Sequence, residues 1–512
     1  MLTTGSDNPN TNNMMDGVGI YTAPQYTNTY VKQKEKPVFG KAECVLSAIV
    51  FILSVLYIRF VIFMVTGAVS SLIYLAFITS AIIYMKKKGC SFSGFNKTLT
   101  VILYLFSFVF TLTDNSFIKF LNGVFLFTAS AYLIYSICAG KTSVERYLPY
   151  AVKKAVFEYP FSKFGTQADI LSCSFKHPGS GTNIKRILAG LLLAGPVTAV
   201  VGSLLMSADD GMNRLLNNIF EGIYSEDIWD WIIQISMALP FSCYVFGMIY
   251  RNVFRSDISE LSDSYCEEKL EGKRAVGNLV FYSAVTPVLI LYVIFFFMQA
   301  GYFLSAFMGR LPDGFSYAEY ARKGFFELCW IVVINLGIMI IMNLHSKNSG
   351  KDRSSALKAY NLIFCVFTLI LIATALSKMV MYIDAYGLTV LRVYTTWFMV
   401  LCAFIFLMIM IKQFRPDMHI AKSISAGFTV MFALLCFSRP ESLIVKYNHA
   451  MGKVSADTIN ESGILDMSDD GLLAAVNEGL ISAEKAQREN YYRHSQHITD
   501  DLNISTLLLE KK

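Results

Sequence analysis

Charge is what this chain has least of. Only 16 % of its 512 residues are Asp, Glu, Lys or Arg, against roughly 25 % in an ordinary soluble domain. Motifs that carry chemistry are missing as well. None of the six histidines lies in an apolar run, which excludes a bis-histidine haem or a membrane-buried His/carboxylate metal site. No His-Glu-x-x-His run is present for a zinc protease, and no Walker A for nucleotide phosphates. The stretch from Gly179 to Lys185 lacks the required spacing and reads as a flexible loop. Ten cysteines are present without a single Cys-x-x-Cys, so neither a disulfide framework nor a thiolate metal cage is expected. His494 and His497 have the i, i+3 spacing of a helical ligand pair but no third ligand. No catalytic set, no metal and no cofactor are expected.

What is abundant is apolar surface. Hydrophobic residues make up 54 % of the chain, including 40 Phe, 28 Tyr and 22 Met, and the mean hydropathy is +0.47. That excludes a disordered, collagen-like or nucleic-acid-binding protein. A helix rising 1.5 Å per residue crosses the hydrocarbon core with about 20 apolar residues. Eleven runs qualify, with ten to twelve as the range: Cys44–Val65, Val69–Met85, Thr98–Thr113, Leu121–Cys138, Ile187–Met206, Trp231–Tyr250, Val276–Met298, Phe325–Leu344, Ala359–Ser377, Val393–Ile411 and Ile420–Phe437. The first two are separated only by Thr66 and Gly67, and the last carries Lys422 near its start. The fold class is an all-α integral membrane bundle, and its first partner is the lipid bilayer.

The positive-inside rule gives the bundle a direction. With the N-terminus cytoplasmic, the inner connections hold 28 Lys and Arg and the outer ones 7. All ten cysteines fall in spans or inner loops. The expectation is a multi-pass protein of the bacterial plasma membrane, N-terminus inside and C-terminus outside.

Three segments lie outside the spans. Residues 1–43 are rich in Asn, Thr, Gly and Asp and end in a lysine cluster, a disordered cytoplasmic arm without the layout of a signal peptide. In 143–158, Val144, Tyr147, Leu148, Ala151, Val152, Ala155 and Val156 repeat at helical spacing, leaving Glu145, Arg146, Lys153, Lys154 and Glu158 opposite. That amphipathic helix suits either the inner leaflet surface or the inner ends of the bundle. The tail 438–512 holds 12 acidic and 8 basic residues with helix-leaning stretches; its apolar content is thin, and it is expected to dock on the outer face, partly disordered.

Polar residues near the bilayer are biased outward. Arg59 lies about 22 Å along the first span, where an arginine must be paired or face a wet interior. Asp114, Asp209, Asp210, Glu319 and Asp384 come from the outer ends of other spans, with Arg214, Arg322 and Arg392 at similar depth. These define an outer vestibule with two readings. One is a set of interhelical ion pairs. The other is an anion-binding pocket formed by Arg59, Asp209, Asp210, Glu319, Arg322, Asp384 and Arg392, where guanidinium forks hold phosphate or carboxylate. Pro196, Pro240 and Pro287 interrupt spans five to seven, as in transporters with broken helices, and span five adds the small pairs Gly190/Ala194 and Gly195/Ala199. No inverted repeat accompanies them.

Two runs resemble a known family. Tyr317-Ala318-Glu319-Tyr320-Ala321-Arg322 with Gly324-Phe325-Phe326, and Tyr382 through Gly387-Leu388-Thr389 to Arg392 and Tyr394, are similar to the bacterial membrane family known as domain of unknown function 4173 and its broader relative numbered 4153. Ser207-Ala208-Asp209 and Lys446-Tyr447-Asn448 share that likeness, which spans roughly residues 44–480. The resemblance implies a polytopic plasma-membrane protein and brings no reaction, substrate or cofactor. The function most in keeping with all this is a non-enzymatic envelope sensor, scaffold or regulator with a protein partner or anionic ligand outside. The alternatives are a transporter or flippase for a small anionic solute or lipid-linked head group, and a membrane enzyme acting on lipid or glycan.

Overall fold

The computed structural model describes residues 39–63, 67–174, 226–254, 263–274, 276–307, 325–346, 355–459, 462–495 and 503–511, with isolated positions between 198 and 212. Their regular elements are all helices, and among them a single isolated bridge joins Val276 to Ser346. Among the described residues ten helices are long and apolar enough to cross a membrane. They are α1 (Lys41–Phe63), α2 (Gly67–Lys87), α3 (Gly94–Leu112), α4 (Ser116–Cys138), α7 (Glu226–Val253), α9 (Asn278–Phe307), α10 (Phe325–His345), α11 (Ser355–Tyr386), α12 (Val390–Phe414) and α13 (Ile420–Phe437). Between them lie the helical stretch 148–162 (α5), α6 (Thr166–Ser174) and α8 (Asp263–Lys273), and the tail forms α14 (Pro440–Ala450), α15 (Asp469–Asn477), α16 (Ala483–Ser495) and α17 (Ile504–Glu510). Span five of the sequence, Ile187–Met206, lies largely outside the described residues, as do Pro196, Gly190, Ala194, Gly195 and Ala199.

The helices fall into two groups. α1, α2, α3, α4 and α7 pack together, and α9, α10, α11 and α12 form a second set. α13 joins them, packing on α12 and, through Phe432, stacking on Phe106 of α3 at 5.6 Å and lying 5.4 Å from Phe125 of α4. Apolar residues point outward as freely as inward: Leu279 and Phe297 are 79 % and 81 % exposed. That inversion makes sense only with hydrocarbon as the solvent for the flanks.

Because burial of apolar surface does not hold helices together in lipid, side-chain hydrogen bonds carry more of the specificity. Asn335 of α10 accepts from Tyr292 of α9 at 2.6 Å and donates to Thr368 of α11 at 2.9 Å. Asn343 and Asn361 exchange bonds of 3.0 and 3.2 Å. In the first group Ser136 donates to Asn96 at 2.7 Å, and the hydroxyls of Ser71 and Thr111 lie 2.7 Å apart.

One end of the assembly gathers Glu43, Lys88 and Tyr84, with Tyr84 donating to Glu43 at 3.0 Å and an ion pair from Lys88 to Glu43. Helix α5 packs at this end against α7. Gly247 permits the approach, since a β-carbon there would sit 2.7 Å from the Pro160 carbonyl oxygen. Ala151, Ala155 and Val156 are buried, but so is Lys154, at 2 % exposure, between the rings of Tyr150 and Tyr265. Sequence spacing assigns Lys154 to the polar face; a π-helical turn over Lys154–Glu158 adds a residue to the turn and rotates the faces. Phe157 and Phe161 consequently point outward.

Candidate functional site

The opposite end is where the tail meets the bundle. The connection between α3 and α4 supplies Thr113, Asp114 and Asn115. Asn115 caps α4, its side chain accepting from the Ile118 N–H at 2.9 Å. Its amide also donates to Glu441 of α14 at 2.5 Å. The other oxygen of Glu441 accepts from the Ser468 backbone N–H at 2.7 Å and from the Ser468 hydroxyl. Ser468 precedes α15, whose first turn carries Asp469 and Asp470. Two carboxylates there suit the partial positive charge of a helix start.

Asp470, 1 % exposed, is the centre of this arrangement. One oxygen accepts from the Thr113 hydroxyl and from the Asp114 N–H at 3.3 Å. The other accepts from Arg439 Nε at 3.2 Å, from an Arg439 Nη at 2.7 Å, and from the Ser505 hydroxyl. Asp469, fully buried, accepts from Asn490 at 3.0 Å and from the Thr506 hydroxyl. Its N–H donates to Asp114 at 3.4 Å, while Asp114 pairs with the buried Lys119 at 3.1 Å. Four carboxylates thus face two cations, and hydroxyls, amides and a helix N-terminus supply the remaining donors. Burial outweighs the bonds to Ser468 and Asn115 and pushes the Glu441 carboxyl above its ordinary value, with the nearby Asp470 charge adding to the effect.

Backbone strain marks the same place. Arg439 has φ 51°, left-handed, and is the one non-glycine residue with positive φ among the described residues. Such a residue costs of order 1–3 kcal/mol and persists where its surroundings over-determine it. Here Pro440 opens α14 behind it and Asp470 holds its guanidinium in front.

A second contact joins tail and bundle. Asn448 accepts from the Leu388 N–H at 2.7 Å and donates to the Leu388 carbonyl at 2.8 Å, as a paired strand would. Gly387 before it has φ +76°, and a β-carbon there would lie 2.5 Å from Asn448 Oδ1. Beneath both contacts the tail has a core of its own: Ile444, Val445, Ile464, Leu472, Ala475, Ala486 and Leu509 are almost fully buried, with Leu388, Val390 and Val393 of the bundle packed against them. The thin apolar content read from the sequence is concentrated in one place.

Among the described residues, the two outer arginines meet aromatic rings. Arg59 lies over the Trp231 ring at 4.2 Å and donates to Gln234 at 3.3 Å. Arg392 lies over Tyr382 at 3.8 Å and donates to the Gly387 carbonyl. Neither pairs with a carboxylate of the described residues. They sit in different helix groups, on α1 and α12, and are not brought together. Asp209 accepts from the Met212 N–H at 2.9 Å, and Asp384 is exposed at the end of α11. Asp210, Arg214, Glu319 and Arg322 lie outside the described residues. Arg392 does border a cavity of about 260 Å³, lined also by Phe325, Phe326, Met379, Tyr382, Thr389, Leu391 and Thr395. Its walls therefore come from both family-like runs.

Sequence reading passed over Glu441, Asp469, Asp470 and Arg439. The local signal was there: two acids behind a serine at a helix start, and an Arg-Pro step directly after a span. Nothing local said that Asp470 meets Thr113 and Glu441 meets Asn115, 357 and 326 residues away. His494 is in α16 and His497 lies outside the described residues; no group of three or more His, Cys, Asp or Glu among the described residues could hold a metal ion. The cluster links segments: both oxygens of Glu441, both of Asp470 and one of Asp469 accept from donors on other segments.

Ten apolar helices among the described residues, apolar outward flanks and a folded unit packed on one end of the bundle define an all-α polytopic membrane protein. The chain belongs to the family described as domain of unknown function (DUF4153), whose model matches residues 100–477. That match covers the corner at Thr113, both family-like runs and the tail as far as Asn477. No curated protein and no solved structure matches the chain.

Proposed function

We propose that this protein is a non-enzymatic regulator or scaffold of the bacterial cell envelope, its N-terminus in the cytoplasm and its helical C-terminal unit outside the plasma membrane. The observation that carries the reading is the buried network around Asp470. It ties the tail to the ends of α3 and α4, while Asn448 ties it to the corner between α11 and α12. A partner that binds the tail would thereby act on the positions of helices in both groups. The lysine-rich connections at the Lys41 end support the orientation, and the runs at 317–328 and 382–394 support a place in the narrower group numbered 4173.

The tail also presents an apolar stripe. Ile504, Leu507 and Leu508 of α17 share one helix face and are 37 %, 41 % and 45 % exposed, while Leu509 is buried. The test is purification of the full chain from its native membrane in mild detergent. A partner in stoichiometric amount, lost on Leu508→Ser and on Asp470→Asn, is the expected result. Flux of small anions through reconstituted vesicles, or turnover of a lipid-linked substrate abolished by Asp209→Asn, overturns the reading.

A further inference from the structure

The Arg392 cavity has a chemistry that the tail does not use. Its walls are aromatic, aliphatic and hydroxyl-bearing, and among the described residues Arg392 is the one charged lining residue. Asp384 stands two residues beyond Tyr382 on α11, about 200° round the helix and so on its other side. Lys378, one turn before Tyr382, is buried, and the carboxylate of Glu327 on α10 bears on it. Arg392 has no ion-pair partner among the described residues; the Tyr382 ring and one carbonyl oxygen leave most of its five N–H donors for something else.

Depth says what that is. α12 has 25 residues, about 37 Å at 1.5 Å per residue, whereas the hydrocarbon core is about 30 Å thick. Arg392 is the third residue of that helix, so it stands at the level of lipid head groups. At the mouth of the cavity Leu391 is 60 % and Phe326 46 % exposed, continuous with the lipid-facing flank that Trp330 extends one turn deeper, at 68 %. A ligand lodged here meets a cation above and hydrocarbon below.

We propose that this cavity holds the phosphate of an anionic membrane phospholipid, with the phosphate oxygens on Arg392 and the acyl chains along Phe326, Leu391 and Trp330. A guanidinium grips phosphate through parallel N–H bonds. A zwitterionic lipid would bring an ammonium group beside the Arg392 cation, so phosphatidylglycerol is preferred over phosphatidylcholine. The volume, about 260 Å³, exceeds many times the roughly 30 Å³ of one water. The cavity shares no lining residue with the Asp470 network, and either reading can fail without the other.

The test uses the full chain, stripped of lipid in detergent and titrated with phosphatidylglycerol, phosphatidylcholine or inorganic phosphate, with bound lipid counted by native mass spectrometry. At least tenfold tighter binding of phosphatidylglycerol is expected, reduced about tenfold by Arg392→Gln and only partly by Arg392→Lys. Thr395→Trp, which fills the cavity and leaves Arg392 in place, covers the case in which Arg392→Gln fails to fold; it too should abolish the preference. Equal retention of both lipids, or a preference unchanged in the folded variants, overturns the proposal. Displacement of the lipid by millimolar inorganic phosphate alone also overturns it, because the site would then belong to a soluble anion.

Discussion

A single carboxylate shows how the tail is held. Asp470 accepts from five donors on three segments, and removing its charge leaves the Arg439 guanidinium, 30 % exposed, with the Ser505 hydroxyl. Loss of one member of a buried ion pair costs about 3–5 kcal/mol. Because Arg439 reaches solvent, Asp470→Asn should loosen the tail helices α14–α17 by less than that, about 2 kcal/mol, read as faster amide hydrogen exchange there with α9–α12 unchanged. Glu441 responds to pH in the opposite sense from most native carboxylates. Its folded value is raised above the ordinary 4.5, so its contribution is fully present below about pH 4.5 and is lost as the pH rises through the folded value. Tail stability of the wild type should gain on acidification relative to Glu441→Gln, in which this titration is absent; parallel pH curves for the two proteins would refute the assignment. Gly387 and Asn448 are coupled more directly. Gly387→Ala brings a strained φ and a clash with Asn448 Oδ1, at a cost of about 1–3 kcal/mol. In an Asn448→Ala background the clash disappears, and the same substitution should cost about 1 kcal/mol less, measured as a double-mutant cycle on thermal unfolding.

Among elements, the helices were legible and their partners were not. Apolar runs with a turn at each end announce α2, α4 and α10 within a few residues, because a membrane helix must satisfy its own backbone. The face that each presents to its neighbours is not written in the apolar pattern, since lipid and protein core are equally apolar. Polar residues at inward positions settle it. Asn335→Leu should lower detergent stability by only about 1–2 kcal/mol, the modest scale of polar bonds in membrane bundles, and a much larger loss would show that Asn335 does more than join α9 to α11. Helix α5 teaches the reverse lesson. Its residues 148–156 have a clear periodicity, but the π turn at Lys154 moves one lysine into the interior, and helical spacing does not foresee an inserted residue.

At the scale of the molecule, the positive-inside asymmetry and the contacts agree on which corners share an end. Thr113 meets Asp470, Leu388 meets Asn448, and Glu43 meets Lys88 at the other extreme. An impermeant thiol reagent applied to intact cells should label Ser482→Cys in the tail and leave the loop at Lys86–Lys88, carrying Lys87→Cys, unlabelled; labelling of both would remove the assigned orientation. Arg59 and Arg392, two of the residues expected in the vestibule, lie in different helix groups, and each settles on an aromatic ring.

Composition and spacing alone determined that this chain lives in lipid, that it is helical, and where its spans turn, because the energetic demands of a hydrocarbon solvent are one-dimensional and act on each segment separately. Which corners touch was decided by the tertiary structure. Carboxylates on α14 and α15 find hydroxyls and amides on a connection more than 300 residues earlier, and an arginine finds a cavity in place of an acid. Those pairings depend on how helices rotate and lean against one another, and an apolar face in an apolar solvent carries no local record of that choice.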